Sequence, residues 1–422
     1  MREAESELIR LGNGVRVALD PMPGFRTAAL GIWIAAGTRQ EPQLLNGVAH
    51  LFEHMAFKGA GERDARALAE AFEEVGASAN AATGHERTCY TARLLQEHAP
   101  LGLELLLDML QKPVWLPEEL EREKQVVLQE IDEAADQPED RVFQLHQSRL
   151  YHDHPLGWPI LGAPESLARI TVTDLAAFQN DHFTASSVVV SIAGGFDRAE
   201  CLDLIAARLG TLAKSAAAEP QAPPQPRAAR VFEHRASAQA HVNLSWPAPA
   251  SGAATQLSAR VLAEILGGGM ASRLFQEVRE RLGLAYAVDA FLEGSSDVGR
   301  LGVYAGSRPQ DVERIWDCAI AALEDLARNG PNPRELLRAK RTAAAHLLMG
   351  AESVSERAEA RAAQVFLHDR LRDFGEIRAD VDAVSADAVQ ARASEALEGP
   401  HAVAVVASRA QTPTSLRRRL AD

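Results

Sequence analysis

A stretch near the middle of the chain limits the folds open to it. Residues 214–227 hold Pro220, Pro223, Pro224 and Pro226 among Ala and Gln. Proline cannot donate to a helix or a sheet ladder, so the composition reads as an extended linker. On either side, the apolar patterning runs through a similar outline of strands and helices. At 422 residues the chain is too long for one ordinary core, and two domains of about 200 residues each are expected. The reading is therefore an N-terminal domain over residues 1–213, a Pro/Ala-rich linker over 214–229 and a C-terminal domain over 230–422.

Turn and cap chemistry places the elements. Asn13-Gly14 between two alternating apolar runs predicts a hairpin over residues 7–20, followed by a strand over 27–36. Asp64 can cap a helix running to Gly76, and residues 77–95 read as a strand with an irregular middle. An apolar helix over about 99–110 comes next, and Pro117 with Glu118 and Glu119 opens a long one. Helices over 173–180 and 198–209 bracket an apolar strand at 186–193. Beyond the linker come a strand at 240–246, a helix at 256–266, a helix at 271–282 closed by Gly283, and a last strand at 401–408. Gly267-Gly268-Gly269 is not followed by Gly-Lys-Ser/Thr, and no strand runs straight into it, which excludes a phosphate loop.

Between the first strands and the 64–76 helix lies Gly47-Val48-Ala49-His50-Leu51-Phe52-Glu53-His54-Met55. On a helix, His50, Glu53 and His54 fall on one face, because positions three and four apart are neighbours. Two imidazoles one turn apart form a clamp for Zn²⁺, and an adjacent carboxylate can act as general base. Such a centre needs a third protein ligand and an open fourth position. In the helix that Pro117 opens, Glu123, Val126, Val127 and Glu130 share a face, with Val126, Val127 and Ile131 placing apolar surface around Glu130. A carboxylate on such a face needs a partner, so Glu130 is the candidate third ligand, with a salt bridge to Arg or Lys as the alternative. Glu123 can orient a ligand histidine or pair with a cation. His152 and His154 precede Pro155 in a loop and are not expected to ligate.

Bulk properties exclude several classes. Apolar residues make up 46% and charged residues 24%, as in soluble globular proteins. The net charge of −14 opposes nucleic acid and anionic membrane as partners. Cys89, Cys201 and Cys318 are odd in number and far apart, which gives neither a metal spacing nor a disulfide framework and points to a reducing compartment. The first 20 residues lack an apolar signal core, and no apolar run reaches the ~18 residues of a membrane span, so a cytoplasmic location is expected.

Taken together, the chain resembles the pitrilysin family of zinc peptidases, the inverted zincins, and most closely the branch of mitochondrial processing peptidase and its short bacterial relatives. The resemblance rests on Asn13 through Val17, His50-Leu51-Phe52-Glu53-His54-Met55, Asn80-Ala81-Ala82-Thr83, Val126 through Ile131, His154-Pro155-Leu156-Gly157, Ser272-Arg273-Leu274-Phe275 and Arg279 through Tyr286. It implies an α+β fold of two homologous domains, each a mostly antiparallel sheet packed with helices. It implies one Zn²⁺ on His50, His54 and Glu130, with Glu53 as general base and Glu123 as an accessory acid. An extended peptide would add to a sheet edge near Asn80 and Ala81, and Arg279 and Tyr286 would stabilise the reacting carbonyl. Family members of four domains close around a chamber. A two-domain chain carrying both the zinc motif and the Arg/Tyr pair implies a homodimer, with a heterodimer as the alternative. The expected activity is a zinc endopeptidase or oligopeptidase acting on unstructured peptides or leader sequences. The rival is a non-catalytic subunit complementing an active partner, but such members lose ligands or base, and here all four residues are present. One departure concerns specificity: where processing peptidases carry two acids, this chain has Asp140 and Gln144.

Overall fold

A computed structural model describes residues 6–214 and 221–421. Residues 215–220 of the expected linker lie outside the described residues, and residues 221–228 have no regular structure. The chain forms two compact units, neither continuous in sequence. The first takes the described residues up to Ile131, then Trp158–Gln221 and Leu348–Arg372; the second takes Asp132–Gly157, Ala222–Leu347 and the described residues from Asp373 onward.

The first unit is built on a six-stranded sheet in the order Glu7–Arg10, Arg16–Pro21, Val188–Gly194, Thr27–Ile34, Thr88–Leu95, Ser78–Thr83. Only the Arg16–Pro21 and Val188–Gly194 pairing is parallel. The expected hairpin is present, with Gly14 at φ 104° in the turn, a conformation that glycine adopts without steric cost. The irregular middle of residues 77–95 is the turn between two strands, which makes Ser78–Thr83 the sheet's edge.

Both faces of this sheet are covered, which follows from strand alternation. Leu30 and Ile32 face a helix layer in which Leu51, Phe52 and Met55 of helix Val48–Ala56 pack with Leu103, Leu106 and Leu110 of helix Ala99–Gln111. Ala29 and Trp33 point the other way, onto Val354, Ala358, Ala362 and Val365 of helix Val354–His368. That second helix is held by charge as well. Asp20, fully buried on its strand, accepts from Arg357 Nη2 at 2.6 Å and Arg361 Nε at 2.8 Å.

The second unit repeats the plan with a five-stranded sheet in the order Ala285–Gly294, Gly299–Ser307, Ala240–Ala248, Ala402–Ala407, Ala229–His234. Its last pairing is the parallel one. Helices Gln256–Gly267, Val312–Asn329 and Ala386–Glu398 cover one face through residues such as Leu262, Trp316 and Val389. Helix Pro138–Leu150 covers the other, with Val142 and Leu145 against Tyr304 and Val406. Each crossing helix thus comes from the opposite half of the sequence to the sheet it covers. Two mostly antiparallel sheets with helices packed on them make an α+β fold.

Candidate metal centre

The motif segment becomes helix Val48–Ala56. Gly47 precedes it at φ 100°, and a Cβ there would lie 2.9 Å from Leu167. The helix's first donors are satisfied from outside it. Buried Glu41 accepts from Gly47 N at 2.9 Å, Ala49 N at 2.8 Å and Asn46 Nδ2 at 2.7 Å. Burial raises the Glu41 carboxyl to about 7 despite these bonds. No local pattern announces Glu41, which stands six residues ahead of the N-cap and outside any capping box.

Helix Pro117–Asp136 brings in the acids. Glu123 and Val127 are buried and Glu130 half-buried, but Val126 is 39% exposed. The expected apolar surround of Glu130 is therefore narrower than the pattern suggests. At 100° per residue, Val126 lies at the margin of the stripe through positions 123, 127 and 130.

Glu130 Oε2 stands 3.9 Å from His50 Nε2 and 3.7 Å from His54 Nε2. One ligand atom from each of these three residues can be chosen so that all lie within 4.8 Å of one another. Ligands at about 2.0–2.2 Å from a tetrahedral centre stand about 3.3 Å apart, so modest side-chain movement closes the set. Glu130 Oε2 is buried with no hydrogen-bond partner among the described residues, the state of an acceptor that lacks its cation. Burial, then His54, pushes His50 down to about 4 and keeps it neutral, as a nitrogen ligand must be. His54 Nδ1 donates to Glu123 Oε2 at 3.0 Å, which directs Nε2 toward Glu130. Lys58 Nζ holds the other Glu123 oxygen at 2.7 Å. Burial raises the Glu123 carboxyl, but Lys58 and His54 outweigh it and leave it below the usual range. The residues fit a zinc ion.

Glu53 sits on the same helix and is bonded by the hydroxyl of Thr83. Burial raises its carboxyl, and the Thr83 bond tempers the rise, the direction that suits a general base working near neutral pH. Thr83 ends the edge strand, so the base is tied to the rim of the sheet. On that strand Asn80 is exposed while Ala81 packs on the core. Among the described residues no strand pairs with its outer edge.

The other expected site residues lie in the second unit. Arg279 places its guanidinium 4.7 Å from the Phe275 ring centroid and 5.2 Å from that of Tyr286, itself 79% exposed. The segment expected as an ordinary helix is a π-helix over Phe275–Arg281, a widening that apolar periodicity does not show and that recurs at functional sites. Asp140 is exposed and Gln144 half-buried on helix Pro138–Leu150.

The fold and site define a two-unit α+β protein with a His–His–Glu group that could hold a metal ion, beside a sheet edge that no described strand pairs with. Residues 16–164 match the family described as Insulinase (Peptidase family M16), and residues 169–343 match its Peptidase M16 inactive domain. The chain is 32% identical over 402 residues to an uncharacterized zinc protease of Bacillus subtilis, covering 95% of this chain and 98% of that protein. It is 37% identical over 338 residues to an uncharacterized zinc protease of Streptomyces coelicolor, covering 78% and 73%. Its fold is that of a peptidase M16 inactive domain from Pseudomonas fluorescens, with TM-score 0.89 and 22% identity over 97% of this chain and all of the other. A protease from Helicobacter pylori has TM-score 0.88 at 20% identity, covering 96% of this chain and 100% of that one. The chain belongs to peptidase family M16, the pitrilysin family of metallopeptidases. Among the described residues no helix is long and apolar enough to cross a membrane.

Proposed function

We propose that the protein is a zinc-dependent peptidase that cleaves extended, unstructured peptides. The observation that carries this reading is the convergence of His50, His54 and Glu130, with Glu53 beside them and bonded to the edge strand. A zinc ion held by the three residues would supply Lewis acidity toward a water and the scissile carbonyl. Glu53, raised by burial, takes the proton of the attacking water and returns it to the leaving amine. Thr83 holds the Glu53 oxygen in place through that cycle, and Glu123 with Lys58 keeps the His54 ring from turning. A peptide in extended form finds unpaired backbone groups along Ser78–Thr83 and joins the sheet as a further strand, past Asn80 and Ala81.

In the second unit, the Arg279 and Tyr286 stack presents an exposed phenol and a guanidinium, donors suited to the oxyanion of a tetrahedral intermediate. The reading includes a homodimer in which this pair serves the centre of the second copy. Asp140, exposed on its helix, is assigned to a basic substrate side chain.

The test is hydrolysis of a quenched fluorescent peptide by wild type and by Glu53→Gln, with bound zinc measured in both. Removing the base is expected to lower kcat by a factor on the order of 10³ while zinc stays bound, because the ligands remain. A zinc-loaded wild type inactive on several unstructured peptides overturns the reading and favours a complementing subunit. Loss of zinc in the variant overturns the role of Glu53.

A further inference from the structure

A cavity of about 370 Å³ lies between the edge of the first sheet and helix Val354–His368, on the face away from the motif helix. The proposed chemistry does not use it. Its walls include Asn80 and Ala82 of the edge strand, Cys89 and Arg93 of the neighbouring strand, and Ser355 and Glu359 of the helix. Ala79 and Ala81 pack toward the motif helix, so alternation turns Asn80 and Ala82 toward this cavity. Ser355 and Glu359 stand one turn apart on a single stripe of the helix. That helix cannot shift easily, since Arg357 and Arg361, on either side of Glu359, are both locked to Asp20.

The cavity is charged in a directional way. Glu359 is exposed and makes no ion pair with any described residue, and the same holds for Arg93. The Cys89 thiol, raised to about 11 chiefly by burial, feels both Glu359 and Glu53. Helix Val354–His368 runs from Val354, beside Gly194 at the Ala28 and Leu94 end of the sheet, to Phe366 under Arg87 at the other end, so Glu359 lies further than Ser355 toward Cys89 and toward the Thr83 bond to Glu53. Strand register continues the ruler: Ala82 pairs with Cys89, Asn80 with Thr91 and Ser78 with Arg93. Arg93 is four strand residues from Cys89, about 13 Å further along. A peptide laid on the edge strand turns every second side chain toward this groove. The one beside Ala82 meets a carboxylate, and the one beside Ser78 meets a guanidinium.

We propose that this groove is a specificity subsite, in which Glu359 selects a lysine or arginine side chain at the groove-facing position nearest the scissile bond. Arg93 disfavours a second cation four residues along. The inference rests on the peptidase reading for where the peptide lies, so its test reads binding as well as cleavage. Full-length, zinc-loaded Glu53→Gln protein is titrated with fluorescein-labelled decapeptides in which Lys, Ala or Glu is moved through each position, and Kd is read by anisotropy. One position is expected to prefer Lys to Glu by about tenfold, as for a close but partly solvated charge pair. Adding Glu359→Gln flattens that ratio to about one, and Glu359→Lys inverts it. The same Lys/Glu ratio in all three proteins, or no binding of any peptide, overturns the subsite. Hydrolysis of the same peptides by protein with Glu53 intact separates the two readings. Cleavage with an unaltered ratio removes the subsite alone, whereas charge-dependent binding without cleavage removes the peptidase and keeps the subsite.

Discussion

The two sheets are covered in the same way and pinned in opposite ways. In the first unit the crossing helix supplies two cations, Arg357 and Arg361, to a strand carboxylate, Asp20, that is wholly buried. In the second unit the crossing helix supplies a neutral base. His146 is buried, its Nδ1 accepts from Arg300 Nη1 at 2.7 Å, and its Nε2 meets Ser245 Oγ at 2.9 Å. Burial, then the Arg300 charge, pushes His146 down to about 3. Arg300 finds its counter-charge in Glu293, which is half exposed. A charged pin fixes geometry strongly but leaves uncompensated buried charge when one partner goes. A neutral one is gentler to break and sensitive to acid. The stiffer pin is the one that holds the wall of the groove carrying Glu359.

The comparison can be broken most severely at Asp20. Asp20→Ala removes the buried carboxylate that both guanidiniums bond and is expected to destabilise the protein by about 3–5 kcal/mol in chemical denaturation. A loss below ~1 kcal/mol would show that Arg357 and Arg361 find water instead, and the contrast between the pins would fail.

His146→Gln is expected to cost less, about 1–3 kcal/mol at neutral pH, the range for a buried hydrogen-bonded group that loses partners. It also tests a slope. The folded value of about 3 lies below the ordinary 6.5, so on acidification the unfolded chain takes the proton first. The stability that neutral His146 contributes is whole above 6.5 and drains away as pH falls toward 3. Calorimetry from pH 7 to 4 should find the variant less acid-sensitive than wild type. Equal slopes would remove His146 as the sensitive group.

The smallest effect is expected at Glu41, the cap of the motif helix, and its slope has the opposite sign. Its folded value of about 7 lies above the ordinary 4.5, so the unfolded chain loses its proton first as pH rises. The contribution is whole below 4.5 and is lost as pH climbs toward 7. Glu41→Gln keeps the shape and removes one acceptor, for a loss of about 1 kcal/mol or less. Its stability should vary less between pH 4.5 and 7 than that of wild type. A steeper slope in the variant would sink this account.

Much of this was readable from local chemistry. Asn13-Gly14, Asp64 and Pro117 marked a turn, a cap and a helix start, and each stands where its backbone preference puts it. The strand Thr27–Ile34 was legible as apolar but not as two-faced, because its second cover, Val354–His368, arrives more than 300 residues later. The π-helix at Phe275–Arg281 escaped for a different reason: one extra residue per turn leaves no trace in a pattern read at helical period.

What the sequence by itself determined is the chemistry that short spacing can encode. His50, Glu53 and His54 share a face because a helix repeats every 3.6 residues, and Glu123 and Glu130 do so two turns apart. Tertiary structure alone decided that Glu123 would bond His54, that Thr83 would tie Glu53 to the sheet edge, that Glu41 would cap the motif helix, and that Glu359 would face a groove. Those arrangements join residues from 8 to about 280 positions apart. They depend on how sheets stack and helices cross, which no local periodicity records.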